Sequence, residues 1–346
     1  MSHEIKIAVA GAGLIGKRHV NSIMSGNGTS VCAIVDPSDS AKEFAKSLGI
    51  VCYDSLEEMF KNIKPDGVII ATPNKLHIEN GFVCLDNNCP MLIEKPIATS
   101  SKEAQVLVDA AAEKNIPILI GHHRRHNPLM KKAKELIVDG KLGEIRAVQA
   151  TCWLYKPDDY FEEAPWRKLE GAGPVSVNLA HDIDLVRYLC GDVESVQTQT
   201  TKSIRGYENE DVAAIVLKFK SGTVGTVTVS DMIVAPWSWE LTAGENPAYP
   251  STQESCYLVG GTDGSLSLPD LRLWRFDGEK SWWNPMSSTN TPREDSDPLI
   301  NQINHFARVI KEEELPLVSG LEGLKTLAVI EAVERSSRSQ EIVYLD

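Results

Sequence analysis

No C-x-x-C pair occurs in this 346-residue chain, although it carries seven cysteines: Cys32, Cys52, Cys84, Cys89, Cys152, Cys190 and Cys256. Their odd number and wide scatter suggest neither a disulfide framework nor a zinc knuckle, so most are expected as small core residues in a reducing compartment. An apolar run long enough to span a bilayer is also missing. The first residues, "MSHEIKIAVA", lack a basic leader followed by a long apolar core and a cleavage site. A cytoplasmic protein is the simplest expectation. Positive charge is in deficit, with 35 Lys and Arg against 48 Asp and Glu, a net of −13. That balance argues against nucleic acid or an anionic membrane as the main partner, but local dipoles can still hold an anionic ligand.

What the chain does contain is a regular alternation over residues 1–122. The apolar runs "IKIAVA", "VCAIVD", "GVIIAT", "MLIEK" and "PILIG" are separated by helix-like stretches. One of these, "SSKEAQVLVDAAAEKN", has Ser100 and Glu103 at capping-box spacing. Apolar strands between amphipathic helices predict a parallel sheet covered on both faces, and right-handed crossovers make it a doubly wound α/β Rossmann domain. Over residues 123–346 the texture changes. Helices are expected near 128–138 and 174–190, and strand-like runs then follow one another from 193 to 276. Consecutive strands without helices predict an α+β domain on a large, mostly antiparallel, open-faced sheet. Residues 281–296 are expected as a loop, followed by helices near 297–312 and 320–338 and a last strand, "EIVYL".

Gly11, Gly13 and Gly16 form G-x-G-x-x-G between the first strand and the first helix. In that context the glycines serve a tight turn, a close approach of backbone to pyrophosphate, and close helix–strand packing. Leu14 and Ile15 open the helix, whose free N–H groups suit phosphate. Asp36 ends the second strand, placed to accept hydrogen bonds from an adenosine ribose diol and to repel a 2′-phosphate. No arginine or lysine accompanies it in "VDPSDS", so NAD is favoured over NADP. Lys95 ends an apolar strand on the edge where doubly wound sheets place ligands. An amine there, partly desolvated, can accept a proton or hold and polarise a hydroxyl.

Taken together, "GAGLIGKRH", "ATPNKLH", "EKP", "GHHRRHNP", "WR", "NLAHDIDLVRYLCG" and "DPLINQINHFARVI…PLVSGLEGLKTLAVIEA" resemble the Gfo/Idh/MocA oxidoreductases over nearly the whole chain. The resemblance implies that Lys95 contacts the substrate hydroxyl beside the nicotinamide and that His181 is the second acid/base group. It further implies that Thr72, Asn74, Glu94 and His123 meet the cofactor, that His77 either meets it or plays a structural part on the helix face, and that Arg124 contacts cofactor or substrate. Trp166 and Arg167 match a pair on a loop that closes over the cofactor in relatives, and Tyr155, Asp158 and Tyr160 are candidates for hydroxyl contacts. Asp184, three residues after His181, could orient its imidazole. The chain departs from the family pattern at Val177, where an aspartate usually stands four residues before the histidine. Asn178 then faces the substrate instead; an amide can position a hydroxyl but cannot take its proton. His122 and His126 stand four apart without a carboxylate or thiol at ligand spacing, so no metal is expected.

The expectation is an NAD-dependent dehydrogenase that oxidises a secondary alcohol of a sugar, cyclitol or related polyol, with Lys95 and His181 handling the hydroxyl proton. Three alternatives stand beside it: a dehydrogenase of an aromatic cis-dihydrodiol, an enzyme using transient oxidation for elimination or glycoside cleavage, and a non-catalytic NAD-binding sensor. Retention of both Lys95 and His181 argues against the last. A large uncovered sheet face predicts a homodimer or homotetramer.

Overall fold

The computed structural model describes residues 4–26, 28–292 and 294–345. The chain divides into two compact units, Met1–His126 with Ser296–Leu327, and Asn127–Asp295 with Ala328–Asp346.

In the first unit the alternation becomes β1 (Ile5–Ala10), α1 (Leu14–Ser25), β2 (Thr29–Val35), α2 (Asp39–Ser47), β3 (Cys52–Tyr53), α3 (Leu56–Asn62), β4 (Gly67–Ile70), α4 (His77–Asp86), β5 (Met91–Ile93), α5 (Ser101–Lys114) and β6 (Ile118–Ile120). All strand pairs are parallel, in the order β3-β2-β1-β4-β5-β6. Apolar clusters form on both faces, which is why these strands are nearly uniform apolar runs. Chain direction across the sheet reverses between β1 and β4, and such a switch point opens a crevice at the C-terminal strand ends. Helix starts follow local chemistry: the hydroxyls of Ser38, Ser55 and Ser100 accept the third N–H beyond them. The pair β3 and α3 was not anticipated, because two half-buried residues make no apolar run.

The second unit contains α6 (Pro128–Val138), β7 (Ile145–Trp153), α7 (Asp158–Glu162), α8 (Pro174–Val177), α9 (Leu179–Cys190), β8 (Val193–Lys202), β9 (Glu210–Phe219), β10 (Val224–Ser230), α10 (Trp239–Thr242), β11 (Tyr257–Gly261), β12 (Ser265–Leu268), β13 (Arg272–Arg275) and β14 (Ser287–Asn290). Then come α11 (Pro298–Ile310), α12 (Gly320–Ser339) and β15 (Val343–Tyr344). The nine-stranded sheet runs β14-β13-β12-β11-β7-β10-β9-β8-β15 and is antiparallel except for the β7–β10 pair. Along β9, Ala213, Ile215, Leu217 and Phe219 are buried while Ala214, Val216 and Lys218 are exposed. One face is therefore core and the other is open.

Three expectations need correction. The stretch 281–296 is not wholly loop, since Ser287–Asn290 pairs antiparallel with β13. The helix expected over 174–190 is interrupted at Asn178, where ψ remains helical but φ swings to −100°. Nor do all residues from 123 onward belong together: Ser296–Leu327 pack with the first unit. There Ile303, Phe306 and Val309 of α11 join the cluster containing β1, and Leu119 bridges Ser319 at the sheet edge.

Candidate cofactor and active site

At the end of β1, Gly11 adopts φ +90°, a left-handed conformation that glycine tolerates best. A Cβ on Gly11 would fall 2.4 Å from the Ala71 carbonyl oxygen, and one on Gly16 would fall 1.9 Å from that of Gly11. Both glycines allow backbone to touch backbone. Gly13 differs, because a Cβ there would meet nothing within 4 Å. It N-caps α1 without any side-chain cap, so the helix presents bare N–H groups to this open space. Leu14 beside it is 87% exposed, and Ile15 is half-buried. An anionic dinucleotide fits this cradle, where bare backbone donors and an exposed apolar side chain are on offer.

Asp36 follows β2 and is wired into the same turn. Its Oδ2 accepts the Ala12 N–H at 2.8 Å, and its Oδ1 accepts the N–H and hydroxyl of Ser38 at 2.9 and 2.7 Å. Burial alone would raise its carboxyl, but these bonds and nearby Lys17 outweigh it and hold it below the ordinary aspartate range. It is an anion with acceptor capacity to spare.

The neighbouring strand ends carry the remaining candidates of the first unit. Thr72 is half-buried after β4 and its hydroxyl accepts from Asn80 at 2.9 Å, while Asn74 is exposed in the 3-10 turn Asn74–Leu76. His77 opens α4. It is buried, and its ring nitrogens lie 2.8 Å from the Pro96 carbonyl and 2.9 Å from the Thr72 carbonyl. The ring therefore ties the end of β4 to the segment after β5, in keeping with the structural alternative for this residue. Lys95, half-buried, precedes Pro96 through a cis peptide bond.

Glu94 is buried at the end of β5. It accepts from His19 Nε2 at 2.7 Å and from the Lys95 N–H at 3.2 Å. Burial pushes this carboxyl upward, yet the His19 bond and nearby His123 and Lys95 prevail and the net shift is downward. Gly121, after β6, makes room: a Cβ would lie 2.8 Å from the carboxylate. His19 and Gly121 had not been singled out as functional. The signal for His19 was its spacing, since it shares the buried face of α1 with Gly16, Val20 and Ile23.

In the turn His123–His126, His123 is half-buried and Arg124 buried, while Arg125 pairs with Glu322 at 3.1 Å. His126 packs against the His305 ring at 5.1 Å, and burial followed by the positive charge nearby pushes it down to about 3. Among the described residues no group of three His, Cys, Asp or Glu side chains is arranged to hold a metal.

In the second unit His181 is half-buried on the first turn of α9, and its N–H donates to the Asn178 carbonyl at 3.2 Å. Asn178 Oδ1 is buried and has no hydrogen-bond partner among the described residues. Asp182, next to His181, accepts from the buried Tyr257 hydroxyl, which anchors α9 to β11. Tyr155 is exposed beneath the Arg205 guanidinium, and Trp166 is 56% exposed. Arg167 stacks on the Tyr160 ring at 3.9 Å and donates to the Tyr160 carbonyl. Buried Lys156 stands 3.8 Å from Asp231, which also meets Arg205 at 3.4 Å. Burial drives Lys156 down and Asp231 up, each toward its neutral form. This charge cluster, unforeseen because its members are distant in sequence, pins the segment that carries Tyr155, Asp158 and Tyr160.

Two family profiles match the chain: an oxidoreductase family with an NAD-binding Rossmann fold over residues 5–122, and the GFO/IDH/MocA C-terminal domain over residues 130–267. The chain belongs to the Gfo/Idh/MocA oxidoreductase family. Among its relatives, an uncharacterized oxidoreductase of Streptococcus pneumoniae is 30% identical over 200 residues, 57% of this chain and only 53% of that one. The scyllo-inositol 2-dehydrogenase (NAD+) of Bacillus subtilis is 25% identical across 100% of this chain and 98% of its own. Among solved structures, an Agrobacterium radiobacter oxidoreductase crystallised with NAD+, L-tartaric acid and magnesium superposes with a TM-score of 0.81. It is 22% identical, and the match covers 99% of this chain and 98% of that one. As a member of the Gfo/Idh/MocA family, the chain is an NAD(P)-binding oxidoreductase, and Gly11, Gly13 and Gly16 are the candidates for its cradle.

Proposed function

We propose that this protein is an NAD-dependent dehydrogenase that oxidises a secondary alcohol of a sugar, cyclitol or related polyol. The observation that carries the reading is the placement of Lys95, half-buried at the C-terminal edge of the parallel sheet whose switch point holds the glycine cradle. The relatives named for inositol oxidation support the substrate class. Asp36 favours NAD, since its carboxylate pairs with a ribose diol and repels a 2′-phosphate.

The nicotinamide supplies the hydride acceptor. Gly13 and the open start of α1 bind the pyrophosphate, and Glu94 braces the nicotinamide ribose. Lys95 holds the substrate hydroxyl, and Lys95 and His181 between them remove its proton. The unpaired Asn178 Oδ1 accepts from a second hydroxyl and fixes the ring's orientation. Arg124, Tyr155, Trp166 and Arg167 complete the contacts. The reading requires the two units to bring Lys95 and His181 to one hydroxyl. The exposed apolar residues Val216, Val224 and Leu258 on the open sheet face favour a homodimer or homotetramer.

A screen for NAD reduction across inositols, sugars and dihydrodiols tests the substrate class. Lys95→Ala should lose turnover by about a thousandfold, within the range removed with an acid/base group, and still bind NADH. Unchanged turnover removes Lys95 from the chemistry, and a response confined to dihydrodiols replaces the polyol reading.

A further inference from the structure

We infer that His19 is a positioning residue that keeps a negative charge on Glu94 and thereby makes the site favour oxidised over reduced dinucleotide. The inference rests on the dehydrogenase reading only for placing the nicotinamide beside Lys95 at the end of β5.

A carboxylate with little access to water stays charged only if donors replace its hydration. Glu94 has two, His19 Nε2 at 2.7 Å and the Lys95 N–H at 3.2 Å. Gly121 leaves the space the carboxylate occupies, because a Cβ there would lie 2.8 Å from it. The state of His19 decides whether this pair carries a net charge. Its Nδ1 is buried and has no hydrogen-bond partner among the described residues. An imidazolium would leave a second N–H buried and unpaired, and orphaned buried N–H groups are rare. The neutral ring with its proton on Nε2 avoids that cost, leaving a bare lone pair at Nδ1 and the negative charge on Glu94.

The two redox forms differ in charge at the ring. Oxidised nicotinamide is a cation and reduced nicotinamide is neutral, so a fixed carboxylate attracts only the first by charge. When protonated, Lys95 repels that same cation. Glu94 offsets the repulsion, and it does so through an environment in which water screens little.

The test is titration of NAD+ and NADH separately, without substrate, into the unaltered protein and into H19F, H19Q and E94Q. H19F and E94Q should weaken NAD+ by about tenfold while NADH stays within about twofold, a gap of one decade in Kd. H19Q, whose amide can still donate to Glu94, should keep most of the original ratio. E94Q changes charge with almost no change of shape, so it stands even where H19F fails to fold. A proportional loss of both forms, or an unchanged ratio in E94Q, overturns the inference and leaves the dehydrogenase reading intact. A shifted ratio with no turnover on any alcohol does the reverse.

Discussion

Every residue of β4 and β5 in the six-stranded sheet is buried, whereas along β9 in the nine-stranded sheet buried and exposed residues alternate. A sheet covered on both faces has no free face for chemistry, so its candidate groups gather at the strand ends: Gly11, Asp36, Thr72, Glu94, Lys95 and His123. The one-sided sheet places its candidates differently. His181 sits on α9 and Asn178 at the break just before it, and Tyr155 and Arg167 on the segment pinned by Lys156, Asp231 and Arg205. The candidate site of the first unit is built on backbone proximity, and that of the second on side-chain networks.

The sharpest way to break this comparison is at the glycines. Gly16→Ala drives a Cβ to 1.9 Å from the Gly11 carbonyl oxygen and should cost about 3 kcal/mol or more, visible as a collapse of the thermal midpoint. Gly13→Ala, whose Cβ meets nothing within 4 Å, should leave the midpoint nearly unchanged and weaken NAD. Equal destabilisation by the two would mean that the cradle is packed throughout. For the second unit, Tyr257→Phe removes the hydroxyl bonded to buried Asp182 and should cost about 1–3 kcal/mol in denaturant unfolding. A negligible cost would show that side-chain bonding there is incidental.

Acid should act on the first unit through His126. Its folded value of about 3 lies below the ordinary histidine range, with burial first and then His305, His123, Arg125 and Arg308 as causes. Between that value and the unfolded one, the native state binds fewer protons than the unfolded state. Stability should therefore fall as pH drops below about 6.5, at up to about 1.4 kcal/mol per pH unit for this group. Denaturant midpoints at several pH values for the native sequence and His126→Phe check it; an equally steep decline in the variant would assign it elsewhere. The smallest expected effect belongs to the open sheet face. Val216→Lys and Leu258→Lys should change monomer stability by no more than about 0.5 kcal/mol while shifting sedimentation toward the monomer. A monomeric native protein would remove the proposed association.

Most strands of both sheets could be read from the letters because burial leaves a period: continuous apolar runs in one, alternation in the other. What escaped lacks that signature. The residues "SSTN" of β14 are all polar, and β3 is two half-buried residues long. The glycine turn after β1 and the place of Lys95 at the end of β5 were legible because motif and topology coincide. For His77 two readings stood open, and the structural one agrees with the buried helix face it shares with Gly81, Cys84 and Leu85, the spacing of a core residue. His19 was passed over for the converse reason, since its importance comes from a partner 75 positions away.

Residues 296–327 complete the first unit although about 170 residues of the second come between, and Phe306 lies against the opening glycine of β4 so closely that a Cβ on Gly67 would stand 2.9 Å from its ring. During synthesis the amino-terminal sheet therefore emerges from the ribosome long before α11 arrives to cover it. At translation rates of about 5–20 residues per second, that leaves an apolar flank open for roughly ten seconds or more. Excising the leading 122 residues as a portable nucleotide-binding module would make that temporary exposure permanent.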